Sequence, residues 1–399
     1  QKELVFAAGL EGVDSNKSKE VETLIMDCLK KLVKDGVPQD LIDSSLHQLE
    51  IRQREITGSG MPFGLQIMLT CLPACIHNDN PLNVLDLDSA FNTIKNNLKT
   101  GNYIENLIDK SLIKNNHRLT YSLIPDPQLN KKNEEKIQNK VFEITKNFSS
   151  DDKEKLIKLA NDLEKRQNSI DDPEVLPKVT KEDIPITRNY ASPIAFSNNE
   201  SANYFYKTGT NGIVYHSMIF PCEALDKNEL EVASLFSNTL TDIGLGKDGY
   251  EDIQKYQSSF TGGISASFIT LPNKIDDTFK LALKVTSKSL EGNETLMQDL
   301  MLRTVKDSSF EETKRIEELL EFISSDNEKS VIQNGHILSM SNAASQISDI
   351  ASTNDLTSGL RFIHNTNHLS KLVKEKDELA KYLELLRSIN SKISNTPSH

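Results

Sequence analysis

Apolar residues near the start of the chain recur at helical spacing. Val21, Leu24, Ile25, Cys28, Leu29 and Leu32 fall at i, i+3, i+4, i+7, i+8 and i+11, which predicts a helix burying one face. Gly36 stops it, and Pro38 suits the first turn of a second helix. The inner face of that helix is expected to carry Ile42, Leu46, Leu49 and Ile56. Another apolar helix is predicted over residues 65–75. Phe91, Ile94, Leu98, Tyr103, Ile104, Leu107 and Ile108 give further helical faces. Two stretches read as strands: residues 4–8, and "HRLTYSLIP", where Leu119, Tyr121 and Leu123 alternate before a proline stop. Helices together with sheet strands describe an α+β domain.

The texture changes over residues 128–168, which are rich in charge and lack Gly and Pro. Ile137, Val141, Ile144 and Phe148 step by four, three and four, and Leu156, Leu159 and Leu163 continue the stripe after a break at Ser149 and Ser150. Ser149 and Asp152 have capping-box spacing. The pattern predicts an antiparallel helical hairpin with both seams facing inward and the charges on a solvated face. Three prolines between Pro173 and Pro185 predict a stiff extended linker. A second α+β segment follows, with strands expected over 191–196, 202–208, 213–220 and 263–271. Its helices are expected over 227–243, 275–290, 293–325, 330–350 and 353–388. The Ser- and Asn-rich end, 391–399, reads as a disordered tail. The two outer segments share a sheet-plus-helix theme, as a duplicated domain would.

A chain of 399 residues exceeds one ordinary core, so two domains and a connector are expected. Hydrophobic residues make up 37% and charged residues 26%, enough apolar content for real cores. The net charge of −12 argues against a nucleic-acid backbone as the main partner. No apolar run is long enough to span a membrane, and no signal peptide opens the chain. The opening "KELVFAAGLEGV" reads as a strand already under way, as in a piece of a longer protein. Cys28, Cys71, Cys75 and Cys222 lack further ligands at zinc spacing and are read as buried free thiols in a reducing compartment.

Among the histidines, His364 and His368 lie four apart in "RFIHNTNHLSKL", on one helix face. An inverted zinc-peptidase motif needs a Glu immediately before its second His, as the base that activates a metal-bound water; Asn367 stands there instead. The pair is read as part of an ordinary helix. "IGLGKDG" (243–249) lacks phosphate-loop spacing and reads as a turn after a helix. "FTGGIS" (260–265) reads as a glycine bend into a strand, or a site of close backbone approach.

Several stretches, in order, resemble one family. "PFGLQIMLTCLPACIHNDNPLNVL", "IKNNHRLTYSLIPDPQLNKKNEEK", "DDPEVLPKVTKEDIP", "GTNGIVYHSMIF", "LTDIGLGKDGYEDIQKYQSSFTGGISASF" and "LTSGLRFIHNTNHL" are similar to the presequence protease and falcilysin branch of the pitrilysin/insulinase-type zinc metallopeptidases. The resemblance spans roughly residues 4–385. It implies a clamshell of four similar α+β domains, two halves joined by a helical hairpin around a peptide-sized chamber. The first domain of such proteins carries the zinc motif and the last supplies Arg and Tyr groups for the substrate. On that resemblance, residues 1–127 are the C-terminal part of the second peptidase-like domain, 128–176 the hairpin and 177–390 the third, non-catalytic domain. In that third domain the helix corresponding to the zinc helix reads "LEVASLFSNTLTDIG", with Leu235, Phe236, Ser237, Asn238 and Thr239 where ligands would stand.

The resemblance therefore implies the non-catalytic central portion of a zinc metalloendopeptidase that degrades unfolded peptides, forming chamber wall and hinge. No residue of this chain is expected to be catalytic, cofactor-binding or metal-binding, and zinc belongs to the full-length parent. The implied partners are the remaining domains of the parent and peptide substrates, with no nucleic acid and no membrane span. The alternative is a scaffold or processing-partner protein that kept the fold without the chemistry. The compartment stays open between an organelle matrix and a bacterial cytoplasm.

Overall fold

A computed structural model describes residues 5–56, 61–175, 177–178, 180–187, 191–197, 202–222, 225–273, 275–276 and 278–395. Its α-helices are α1 (Ser18–Asp35), α2 (Gln39–Arg54), α3 (Phe63–Ile76), α4 (Leu87–Leu98), α5 (Tyr103–Ile108), α6 (Leu129–Thr145), α7 (Ser150–Asn168), α8 (Lys227–Leu240), α9 (Tyr250–Phe260), α10 (Glu294–Lys306), α11 (Thr313–Ala344), α12 (Asp349–Ser358), α13 (Leu360–Leu372) and α14 (Lys376–Ser394). The strands are β1 (Ile194–Ser197), β2 (Ala202–Phe205), β3 (Ile213–Pro221), β4 (Ile264–Pro272) and β5 (Phe279–Leu290). Mixed helix and antiparallel sheet agree with the α+β class. Contacts divide the chain into two units that are not collinear with sequence. One contains Leu32–Ile108 and Ala191–His399; the other contains Phe6–Lys31 and Asp109–Tyr190.

The core lies in the first unit. Its sheet has the order β3-β5-β4, all antiparallel, so β5 is the central strand. This corrects the helix expected over 275–290. The segment "FKLALKVTSKSL" alternates: Leu281, Leu283, Val285, Ser287 and Ser289 are buried on one face, while Lys280, Lys284 and Lys288 lie on the other. Period two wins here because pairing on both edges satisfies every interior backbone group. The buried face meets α8 and α10, whose Val232, Leu235, Phe236, Met297, Leu300 and Met301 fill the core. The β1–β2 hairpin forms a separate two-stranded ladder.

The long helices expected after residue 293 are each broken. Asp307–Glu312 separates α10 from α11, which then runs unbroken through the gap expected at 325–330. Gly359 and the turn after Leu372 divide the last helical stretch into α12, α13 and α14. The tail expected to be disordered from 391 is corrected in part, since α14 reaches Ser394 with Ile393 fully buried. Residues 396–399, like Leu4 at the head of the first expected strand, lie outside the described residues.

Two clasps hold α8 and α9. Asp226 caps α8, accepting from the backbone N–H groups of Asn228 and Glu229, and Glu229 Oε2 accepts from the Asp226 N–H at 2.7 Å. The same Glu229 carboxylate is 2% exposed and receives Lys392 Nζ at 2.6 Å and Ser388 Oγ at 2.7 Å, both from α14. At α9, the glycine-rich stretch 243–249 is a turn. Glu312 Oε2 accepts from the Gly244 N–H at 2.7 Å, and Oε1 from the Tyr250 N–H at 3.1 Å. The free N–H groups and positive dipole end of α9 thus already hold a carboxylate of the chain itself. A Cβ on Gly244 would meet Asp248 O at 2.5 Å and Glu312 Oε2 at 2.9 Å. Gly244→Ala is expected to cost about 1–3 kcal/mol through overpacking, read as a lower urea midpoint. An unchanged midpoint would show that the turn opens without strain.

The second unit forms its helices but not the expected seams. Ser149 caps α7 in a capping box with Asp152, as the spacing predicts. The stripe residues Ile137, Val141, Ile144, Leu156, Leu159 and Leu163 are, however, between 49% and 62% exposed. Their inward-facing arrangement is therefore corrected: helical propensity, capping and ion pairs such as Lys155–Asp151 form these helices without a closed apolar seam. No residue of α1 is buried either, against the expected single buried face. The strand expected over 117–125 does not form a ladder, and Leu119 and Leu123 are 84% and 90% exposed. A strand needs a hydrogen-bonded neighbour, and among the described residues neither this segment nor residues 5–8 pairs in a ladder. Ser122 Oγ instead donates to Ser18 Oγ at 2.7 Å. The expected extended linker contains two single-turn 3₁₀ helices, Pro173–Val175 and Lys181–Asp183.

Candidate functional site

The positions that would carry metal ligands on α8 are part of the core. Leu235, Phe236, Ser237 and Thr239 are buried, and Asn238 faces outward. Hydrocarbon and hydroxyl side chains packed against a sheet offer no thiolate, imidazole or carboxylate to zinc. His364 and His368 lie on α13 and are both exposed, while Asn367 between them accepts from Ser324 Oγ at 2.8 Å. Among the described residues no group of three or more His, Cys, Asp or Glu converges where it could hold a metal ion. The described residues do not fit a zinc centre. No helix among the described residues is long and apolar enough to cross a membrane.

The cysteines also depart from a uniformly buried set. Cys28 and Cys75 are exposed and Cys71 half-buried; Cys222 alone of the four is buried. Burial pushes the Cys222 thiol up to about 11, so it stays protonated and unreactive near neutrality.

The most elaborate polar arrangement is a seam where α2 docks on the sheet domain. Sequence periodicity placed Ile42, Leu46, Leu49 and Ile56 inward. The structure buries Ser44, Glu50 and Ile51 instead, and leaves Leu49 and Ile56 exposed. The docking face is polar because its target is backbone. Gln48 Nε2 donates to the Ser258 and Thr261 carbonyls, each at 2.6 Å, which closes the carbonyl end of α9. Gly262 is where the two meet: a Cβ there would lie 2.8 Å from the Lys288 side chain and 3.1 Å from Ile51 Cγ2. This gives the "FTGG" bend its close backbone approach, and the next residue, Gly263, takes φ +98° before β4 begins.

Charges frame the seam. Glu50 accepts from Arg54 and from Lys95 of α4, at 2.9 and 3.0 Å, and Arg54 also reaches Asp88 at 2.5 Å. Burial pushes the Glu50 carboxyl up, but Lys95 and Arg54 outweigh it and hold the group below its ordinary range. Glu55 Oε1 receives Lys288 Nζ at 2.6 Å. Asp40, in the first turn of α2, pairs with Lys255 at the middle of α9. His47 sits inside this frame with Nε2 buried and without a hydrogen-bond partner, and burial lowers its tendency to protonate. The arrangement has positioning chemistry: hydrogen bonds and ion pairs that fix one helix layer against a sheet. Sequence reading missed it because Ser44, Gln48 and Glu55 carry no periodic apolar signal; the glycine pair at 262–263 was the one visible trace.

Known proteins share much of this chain. The family described as "Peptidase M16-C associated" matches residues 123–369. Protein HypA of Clostridium perfringens is 25% identical over 395 residues, covering 96% of this chain and 40% of its own length. Presequence protease 1, chloroplastic/mitochondrial, of Arabidopsis thaliana is 25% identical over 389 residues, covering 96% of this chain and 36% of its own. The mitochondrial presequence protease of Mus musculus is 22% identical over 405 residues, covering 99% of this chain and 39% of its own. The chain thus spans well under half the length of these relatives.

Proposed function

Because this chain belongs to the peptidase M16-C associated family, in its presequence-protease branch, we propose that it is the non-catalytic central portion of a zinc metalloendopeptidase. The parent would degrade unfolded peptides, targeting presequences among them, inside a closed chamber. In this reading residues 1–127 complete the second peptidase-like domain, 128–176 supply a two-helix connector, and 177–390 form the third domain. Zinc and the proton-transfer groups belong to other parts of the parent. This segment contributes wall and hinge, and its ligands are the neighbouring domains and the peptide. The observation that carries the reading is α8. The helix that would correspond to the family's zinc helix has core residues where ligands would stand, so this copy of the domain works by shape and packing.

The test compares the isolated chain with its full-length parent. After mild chelation the isolated chain is expected to retain no stoichiometric zinc and to show no turnover of a quenched peptide. The parent is expected to do both. One tightly held zinc in the isolated chain, with turnover lost in His364→Ala, would overturn the proposal.

A further inference from the structure

The face of the β3-β5-β4 sheet turned away from the core carries cations and hydroxyls interspersed with Ile219, Ile269 and the fully buried Ala282. Strand alternation places Lys280, Lys284 and Lys288 of β5 together on it. Register sets Ile219 of β3 and Ser267 of β4 on either side of Lys284, and Ser217 and Ser265 on either side of Thr286. None of the residues that β3, β4 and β5 contribute to this face is an Asp or Glu. The chain as a whole carries −12, so a lysine row on strands that bring no acid of their own is set against the overall field. One end of the row already holds a carboxylate. Glu55, arriving from α2, takes Lys288 Nζ at 2.6 Å and lies 3.5 Å from the Tyr215 hydroxyl, so Lys288 and Tyr215, cross-strand neighbours, act together on one acid. Lys284 lies four residues back along β5, roughly 13 Å away at strand rise. It is half-buried and has no hydrogen-bond or ion-pair partner among the described residues.

We propose that this open sheet face binds a carboxylate-bearing peptide segment, with Lys284 receiving an acid as Lys288 receives Glu55 and with the neighbouring hydroxyls of Ser267 and Thr286 available to the same ligand. The half-burial of Lys284 favours this over a fully solvated lysine, because a side chain already restricted by its neighbours loses less rotamer freedom on pairing with an anion. The inference does not depend on the chain being part of a peptidase.

The test uses the whole chain and two fluorescein-labelled peptides at low salt, one alternating Glu and Ser, the other alternating Lys and Ser. Anisotropy should rise with the Glu probe and fall back as salt is added. Lys284→Gln, which keeps the aliphatic stem, is expected to weaken the Glu probe about tenfold, and Lys284→Glu to abolish it. Thr286→Lys should tighten it, a gain that misfolding cannot produce. Lys158→Gln, on the exposed surface of α7, should leave it unchanged. Equal affinity of wild type and Lys284→Gln, or no binding of the Glu probe to wild type, would overturn the proposal. Equal binding of both probes would also do so, since it would show that charge does not select the ligand.

Discussion

Phe236→Ala is expected to lose about 3–5 kcal/mol of stability, the usual cost of removing a fully buried aromatic ring. Phe236 is fully buried at the middle of α8 and touches both layers it joins. Its ring stacks on Phe310, in the connection between α10 and α11, with centroids 6.1 Å apart, and meets Phe268 of β4 at 6.3 Å. Deleting it opens a cavity under the sheet and removes two aromatic contacts together. Set against a typical domain stability of about 5–15 kcal/mol, that is a large fraction. Urea unfolding followed by far-UV circular dichroism should show the midpoint falling sharply. Leu24→Ala, on the exposed part of α1, should move it little, within about 0.5 kcal/mol. Similar shifts for both substitutions would mean that the core is not centred on α8.

Lys392→Met should also be damaging, at about 1–3 kcal/mol, because it leaves the buried Glu229 carboxylate without its cation while Ser388 and the Asp226 N–H remain. Replacing both partners with Met should recover part of the loss, since neither charge then remains unpaired. The pair also sets a pH dependence. Burial alone would push the Glu229 carboxyl up, but the Lys392 ammonium, the Ser388 hydroxyl and the Asp226 N–H outweigh it and hold the folded value below the ordinary 4.5. The unfolded chain therefore takes up a proton first as pH falls. The contribution of Glu229 is fully present above pH 4.5 and is lost as pH drops through the folded value. The stability difference between wild type and Glu229→Gln should accordingly shrink on acidification below pH 4.5. A difference that stays constant or grows would show that the carboxylate is not stabilised by these partners.

Local signals in the sequence were legible where the chain obeys a local rule. The Ser149–Asp152 capping box formed as its spacing requires, and Gly36, at φ +84°, ends α1. The strands β3 and β4 fell close to where alternation placed them. Elsewhere tertiary context decided. In β5 the run Leu281–Ala282–Leu283 resembles a buried helix turn, and the alternating lysines alone marked it as a strand covered on one face. Leu119, Tyr121 and Leu123 alternate well, but alternation cannot supply a neighbouring strand. The stripes of α6 and α7 show that periodicity identifies a helix more reliably than it identifies what covers it. The α2 seam was invisible for the opposite reason: its specificity is carried by Gln48, Glu50 and Glu55, whose polar side chains read as surface.

That seam also bears on how the chain is made. Gln48 donates to the Thr261 carbonyl across a separation of 213 residues. Synthesis proceeds at roughly 5–20 residues per second, so α2 waits on the order of ten to forty seconds after its own translation before its docking surface emerges. During that interval Ile51 has no sheet domain to meet. Closing so long a loop is slow as well as late. A nascent chain stalled before residue 260 should therefore be a better chaperone client than one extended past residue 290, and the vulnerable period of this fold lies in its biosynthesis.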